Sequence, residues 1–318
     1  MFVYSKRKKR KRERNVLKYT IKRIGLALVS ILIVSAITFF VMNLIPGGPF
    51  NKEKATSPAV QQALEERYNL DKPVGEQYLI YMNNLLHGDW GVSLKNGRDI
   101  WTDISTKFAV SAKLGGMAAM VAIICGIVLG SIAALTRNKL PDRLIVFFTT
   151  LGTAMPSFVL ATLLLLVFCL QLKLIPVWSS RNPNYILPII ALSVYPMAYI
   201  TRLTKTSMLD ALNQDYVRTA RAKGVPAVWM IFKHALRNAL IPVITYVGPM
   251  VAYILTGSMV VENIFTIGGL GTSFVTSIVN RDYTTIMAVT IFLAILMVVA
   301  NLLTDLAYKL VDPRITFE

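Results

Sequence analysis

Histidine and cysteine are almost missing from this 318-residue chain, with two of each. Cys125 and Cys169 both fall inside apolar runs, and no outer loop offers them a cysteine partner, so a disulfide framework or a zinc site is not expected. His87 and His234 stand alone, without metal-ligand companions at useful spacing, and no metal site is expected on them. Charge is also scarce: 16% of residues are charged against 54% hydrophobic, and the mean hydropathy is +0.54. That balance excludes an ordinary soluble domain. The nucleotide-cradling pattern Gly-x-x-x-x-Gly-Lys-Ser/Thr does not occur, so the chain is not expected to bind ATP itself. Neither a nucleophile–base pair nor a His-Glu-x-x-His set lies on the apolar runs, which argues against an intramembrane hydrolase.

What the chain has instead is long stretches free of Asp, Glu, Lys and Arg. There are six: Ile24–Ile45, Leu114–Thr136, Leu144–Leu172, Asn182–Thr201, Asn238–Val261 and Tyr283–Thr304. About 20 apolar residues cross a hydrocarbon core, so each is long enough to span. Pro183, Pro188 and Pro196 interrupt the fourth, whose freed backbone groups neighbouring helices would satisfy. The first is longer than a signal-peptide apolar core and runs into Asn43-Leu44-Ile45-Pro46-Gly47-Gly48, which reads as a helix end and a turn. It is therefore read as a retained span. The expected fold is an all-α integral membrane protein with six transmembrane helices.

Charge supplies the orientation. Of 34 basic residues, eleven precede the first span, three lie between the second and third, seven between the fourth and fifth, and two after the last. The segment 46–108 carries seven basic and eight acidic residues. The positive-inside bias then places both termini in the cytoplasm and 46–108 outside. Residues 1–19 read as a basic cytoplasmic tail and 20–318 as the transmembrane domain. The Lys6–Arg12 run beside a span reads as an orientation signal or an anionic-lipid contact, and no nucleic-acid partner is expected. Outside, Pro58–Tyr68 and Gln77–Leu86 read as short helices, the first with Ser57 as a possible N-cap. Trp90, Trp101, Tyr78 and Tyr81 suit the outer headgroup level. Lys113, Glu262 and Asp305 fall near span ends, where snorkelling or capping is the favoured role. Phe265–Gly271 reads as a glycine-rich outer loop.

Between the fourth and fifth spans lies Gln214–Pro242, QDYVRTARAKGVPAVWMIFKHALRNALIP, within a cytoplasmic cassette at 206–237. Ser207–Ala222 has good helix formers, with Val217, Ala220 and Gly224 on one face. Gly224 stops that helix, and Pro226 suits the first position of a second, Ala227 to about Leu236. Small residues permit close approach by a partner, while Arg218, Arg221 and Lys223 supply charge. Composition alone leaves two readings open: docking of a protein, or an elbow resting on anionic lipid.

The residue pattern separates them. The cassette resembles the signature loop of ABC-importer permeases, Glu-Ala-Ala, three residues, Gly, nine residues, Ile-x-Leu-Pro. Gly224 and Ala220 match; Arg218 and Thr219 replace the first two residues, and Leu240-Ile241-Pro242 stands at the end. DYVRTARAKG with HALRNALIP is similar to the divergent form of the peptide/nickel branch. Leu86–Ser93, Thr256–Phe265, Gly269–Gly271 and Asp312-Pro313-Arg314 extend that resemblance over nearly the whole chain. Gly268 and Thr284 depart from it, each standing where proline is frequent. Within the branch the pattern is most similar to the B-type transmembrane subunit of oligopeptide and dipeptide permeases.

The resemblance implies a multi-pass subunit of the bacterial inner or plasma membrane, carrying oligopeptides or dipeptides. It implies a second homologous permease subunit, two ATPase subunits holding ATP and Mg, an extracellular peptide-binding protein, and lipid around the spans. No cofactor is expected on this chain. The cassette would act as the coupling helix in an ATPase groove, through Asp215, Tyr216, Arg218, Ala220, Arg221, Gly224 and His234. Nickel or another small solute is the alternative cargo. A self-contained channel would call for a selectivity loop or a charged ring.

Overall fold

The computed structural model describes residues 2–46, 48–49, 62, 66 and 68–311, with side chains from residue 23 onward except 253, 255–257 and 305–311. The Pro58–Tyr68 helix, its Ser57 cap and the Asp312–Arg314 motif lie almost wholly outside these residues, as does the Asp305 side chain. Everything regular among the described residues is helical. The elements are α1 (Phe2–Leu44), α2 (Val74–Leu86), α3 (Ile100–Leu135), α4 (Leu140–Ala154), α5 (Ser157–Leu164), α6 (Ile186–Leu212), α7 (Asp215–Ala222), α8 (Ala227–Trp229), α9 (Arg237–Ile264), α10 (Leu270–Asn280) and α11 (Tyr283–Val311). π-Helical turns Leu165–Gln171 and Met230–Leu236 continue α5 and α8. Among the described residues five helices are long and apolar enough to cross a membrane, or six if the bent α4–α5 pair is one span. Helices are the open-chain solution in lipid because every backbone N–H and C=O is satisfied within the segment.

The chain divides into two compact units, one drawn from 1–104 and 276–302, the other from 105–275 and 303–311. In the first, α1 passes through the 19/20 position without a break. It shows Leu26, Leu28, Ile33 and Ile37 on its surface, the chemistry of a lipid-facing span. α2 lies against it, with Tyr78 Oη 2.8 Å from Ser35 Oγ and its ring on Phe39. Asp282, buried one residue before α11, accepts hydrogen bonds from Ser93 Oγ at 2.5 Å, Leu94 N at 3.0 Å and Thr285 Oγ1 at 2.8 Å. One carboxylate thus caps a helix and pins the 89–99 loop. Trp90 and Trp101 stack 5.2 Å apart.

The second unit is organised around α6, which packs on α4, α5 and α9. Its core is rich in alanine, which lets backbones come close. One close approach is at Gly126-x-x-x-Gly130 of α3: a Cβ on Gly126 would stand 2.7 Å from Ile200 Cγ2, and one on Gly130 2.5 Å from the Thr201 carbonyl. Small residues four apart are the usual means of close helix packing in lipid, where burial of apolar surface gives no drive. Where α4 begins, the carboxylate of Asp142 takes an ion pair from Lys205 of α6 and a 3.0 Å bond from Asn138 N.

Three sequence expectations are revised, and that of the fourth span holds. Leu144–Leu172 is not a straight span but bends by 102° between α4 and α5, at Met155-Pro156. Proline pushes the residue before it out of the helical region, and Met155 is extended at φ −90, ψ 121. The 46–108 segment is helical from Ile100 onward, as part of α3. The fourth span tolerates its prolines: Pro183 precedes α6, Pro188 sits in its first turn, and Pro196 is buried within it. Phe265–Gly271 is not all loop, because α10 starts at Leu270. Its first N–H groups find acceptors on distant helices, Leu270 N on Ser111 Oγ and Gly271 N on Glu262 Oε2, both at 2.8 Å. Glu262 is fully buried and also accepts from Ser258 Oγ at 2.7 Å. It is a cap, as its place near a span end suggests.

Candidate coupling site

The 206–237 cassette is built from three pieces rather than two. The helix expected over Ser207–Ala222 is interrupted: α6 ends at Leu212, Gln214 is extended at φ −76, ψ 151, and α7 restarts at Asp215. Asn213 and Gln214 turn their N–H groups back on Asp210 and Ala211, closing the first helix. Asp215 then supplies an acidic residue to the first turn of α7 and Arg221 a basic one to its last, both favourable to the helix dipole.

Val217 and Ala220 are buried, and α7 packs against the π-helical arm Met230–Leu236. Beneath the elbow Met208, Ala211, Ala235 and Ala239 form a small apolar cluster with Ala134 of α3. The opposite face of α7 shows Asp215, Tyr216, Arg218 and Arg221. Arg218 Nη1 stands 3.6 Å from Asp215 Oδ1, an exposed contact that orders the side chains weakly.

Gly224 ends α7 as expected, though it lies just past the helix and not on the face with Val217 and Ala220. Its φ is +73. Gly224 N donates to Arg221 O at 3.0 Å and Val225 N to Ala220 O at 3.2 Å, the paired bonds of a Schellman stop. Nothing lies within 4 Å of where its Cβ would be, so the glycine is required by backbone conformation, not space. Pro226 caps the next helix rather than opening it, at φ −55, ψ 141. That helix does not end near Leu236: α8, the π-helical turns and α9 run on as one. His234 therefore belongs to the second arm, its carbonyl accepting from Asn238 Nδ2 at 3.1 Å, while the other six candidates lie on α7 or its stop. Among the described residues no group of His, Cys, Asp and Glu is arranged to hold a metal.

A set of membrane-length helices interrupted by one short, glycine-stopped elbow is the architecture of a multi-pass membrane protein. Family comparison agrees. The model of the binding-protein-dependent transport system inner membrane component matches residues 126–317, and its N-terminal companion matches 16–114. The chain belongs to this family, the permease components of binding-protein-dependent importers, and is a multi-pass inner membrane protein. It is 47% identical over 300 residues to the dipeptide transport system permease protein DppB of Bacillus subtilis, covering 94% of this chain and 97% of that one. It is 40% identical over 306 residues to the oligopeptide transport system permease protein OppB of Haemophilus influenzae, covering 95% and 100%. A chain from a solved inward-facing structure of the MetNI methionine ABC transporter aligns with a TM-score of 0.56 at 15% identity, over 66% of this chain and 96% of that one, a likeness of fold.

Two residues with built positions were not singled out as site candidates from sequence. Asp142 lies in the first turn of α4 and gave no periodic signal, and its partner Lys205 is 63 residues away. Asp282 gave no such signal either, its partner Ser93 being 189 residues away.

Proposed function

We propose that this chain is the transmembrane subunit through which an ATP-driven importer takes up oligopeptides or dipeptides. It pairs with a second, homologous permease subunit, receives peptide from an extracellular binding protein, and is driven by two ATPase subunits that hold ATP and Mg. Both termini and the 206–237 cassette lie in the cytoplasm, and 46–108 outside. Residues 1–19 form the basic tail of the 20–318 transmembrane domain.

The observation that carries the reading is the elbow at Gly224. Its stop is fixed by two backbone bonds, its inner face is buried, and its outer face is polar and cationic. Asp215, Tyr216, Arg218, Ala220, Arg221 and Gly224 form the docking face and its support, and His234 sits on the arm behind it. A rigid elbow transmits displacement: closing of the ATPases around nucleotide draws on α7 and biases the spans between inward-open and outward-open states. The peptide cargo is supported by the names of the relatives at 40–47% identity.

The test is uptake by the complete complex in proteoliposomes, with labelled trialanine and labelled nickel offered in parallel. ATP-dependent accumulation of the peptide is expected. Nickel uptake without any peptide uptake overturns the cargo, and transport by this chain without ATPase subunits overturns the mechanism.

A further inference from the structure

Half-way along the spans of the second unit, the bend between α4 and α5 opens a cavity of about 420 Å³. This falls in the range of ligand pockets. Thr153, Met155, Ser157 and Phe158 line it from the bend, Tyr195 from α6 and Ile254 from α9. Discontinuous helices with exposed backbone at membrane depth are tolerated where they line a cavity, and there they mark binding sites. The exposed face of α6 points to the same place. Beyond Ile190 its exposed positions are Tyr195, Tyr199, Arg202, Thr206 and Asp210, spaced by four, three, four and four residues. They form one narrow stripe on the most buried of the candidate spans. A lipid-facing stripe would carry leucine and isoleucine, as α1 does; this one carries phenols, a hydroxyl and charges. Tyr199 also packs its ring on that of Tyr246 of α9, tilted by 31° with centroids 4.2 Å apart.

From this geometry we infer that the α4–α5 bend and the Tyr195–Tyr199 stripe of α6 line the peptide path. The inference rests on the peptide-importer reading above and adds to it the residues that meet the cargo. The chemistry of the lining fits a peptide backbone. It holds no carboxylate, amine, guanidinium, imidazole or thiol, so a divalent cation finds no ligand set there. It does hold groups that both donate and accept. Neither Ser157 nor Tyr195 hydrogen-bonds another described residue through its side chain, and hydroxyls serve N–H and C=O partners alike. Pro196 cannot donate to the Leu192 carbonyl, and the first N–H groups of α5 have no side-chain cap. A site of neutral hydroxyls and backbone groups beside aromatic rings reads the repeating amide and accepts varied side chains.

Cysteine accessibility in the full complex tests this. In a Cys125→Ala, Cys169→Ala background, Ser157→Cys is compared with Phe148→Cys, an exposed position on the outer side of α4. The cysteine thiolate attacks a membrane-impermeant methanethiosulfonate, forming a mixed disulfide and releasing sulfinate; lipid suppresses the thiolate, so Ser157→Cys should react at least ~10-fold faster than Phe148→Cys. Added trialanine with binding protein and ATP should slow that reaction, and the modified complex should lose most of its trialanine uptake while its ATPase subunits stay bound. A Ser157→Cys that reacts no faster than Phe148→Cys overturns the inference, as does full uptake after modification. Failure of the unsubstituted complex to take up trialanine would instead defeat the peptide reading itself.

Discussion

Replacing Gly224 in a graded series asks whether the elbow matters through its backbone angle. Alanine there meets no neighbour, since no atom lies within 4 Å of the added Cβ. Its whole effect is the left-handed conformation at φ +73, which costs an L-residue ~1–2 kcal/mol and shifts the elbow's equilibrium ~5–30-fold. Asparagine tolerates this region better and should fall between glycine and alanine. Proline cannot reach a positive φ and has no N–H for the 3.0 Å bond to Arg221 O. Its cost is ~3 kcal/mol or more, roughly 150-fold or beyond in the same equilibrium. The readout is peptide accumulated per ATP hydrolysed in proteoliposomes, alongside retention of the ATPase subunits on purification. The expected order of coupling is Gly, Asn, Ala, Pro, with Pro uncoupled though inserted. If alanine proves as damaging as proline, the glycine is needed for close approach by a partner and the conformational argument is wrong. If proline leaves coupling intact, the elbow does not transmit motion.

Two further outcomes follow from the geometry. Gly130→Val would drive its Cβ to 2.5 Å from the Thr201 carbonyl, a backbone atom that cannot move aside, and should cost ~1–3 kcal/mol; a lower melting temperature in detergent than for Ser131→Val checks it. Asp99 caps α3 by accepting from Thr102 Oγ1 at 2.7 Å and Thr102 N at 2.8 Å, and these bonds hold its carboxyl below the usual carboxylate range. Because the folded value is the lower one, the cap contributes fully above the ordinary carboxylate pKa and fades as pH falls through the depressed value. Amide exchange at Thr102, corrected for intrinsic rate, should speed up below about pH 4, and Asp99→Asn should remove that pH dependence.

The spans were legible because bilayer thickness imposes a length on any apolar run, and a charge-free count detects it. The same count misplaced the start of α3, since Asp103, Lys107 and Lys113 lie within a helix that the count required to be free of charge. The bend at Met155-Pro156 left two traces, a proline and a run of 29 residues where about 20 would do, yet neither says that the chain turns by 102° there. α10 escaped because its N-terminal caps come from Ser111 and Glu262, contacts that only tertiary structure makes. In the cassette the glycine stop was readable from local chemistry. The break at Asn213-Gln214 was not, since flanking helix formers masked it, and the fusion of the second arm with α9 was hidden because the charge-free count starts the fifth span only at Asn238.

That fusion has a mechanical consequence. From Ala227 to Ile264 the chain is one helical rod of 38 residues, about 57 Å at 1.5 Å per residue, nearly twice the ~30 Å hydrocarbon core it crosses. Along such a rod the places to flex are the π-helical turns Met230–Leu236 and the points where Pro242 and Pro249 interrupt its backbone bonding. Packed against α6, such a rod would act as a see-saw: a push on the arm beside the Gly224 elbow would swing the far end, by Phe265, the opposite way. Closing one side of the membrane and opening the other would then be two ends of a single motion.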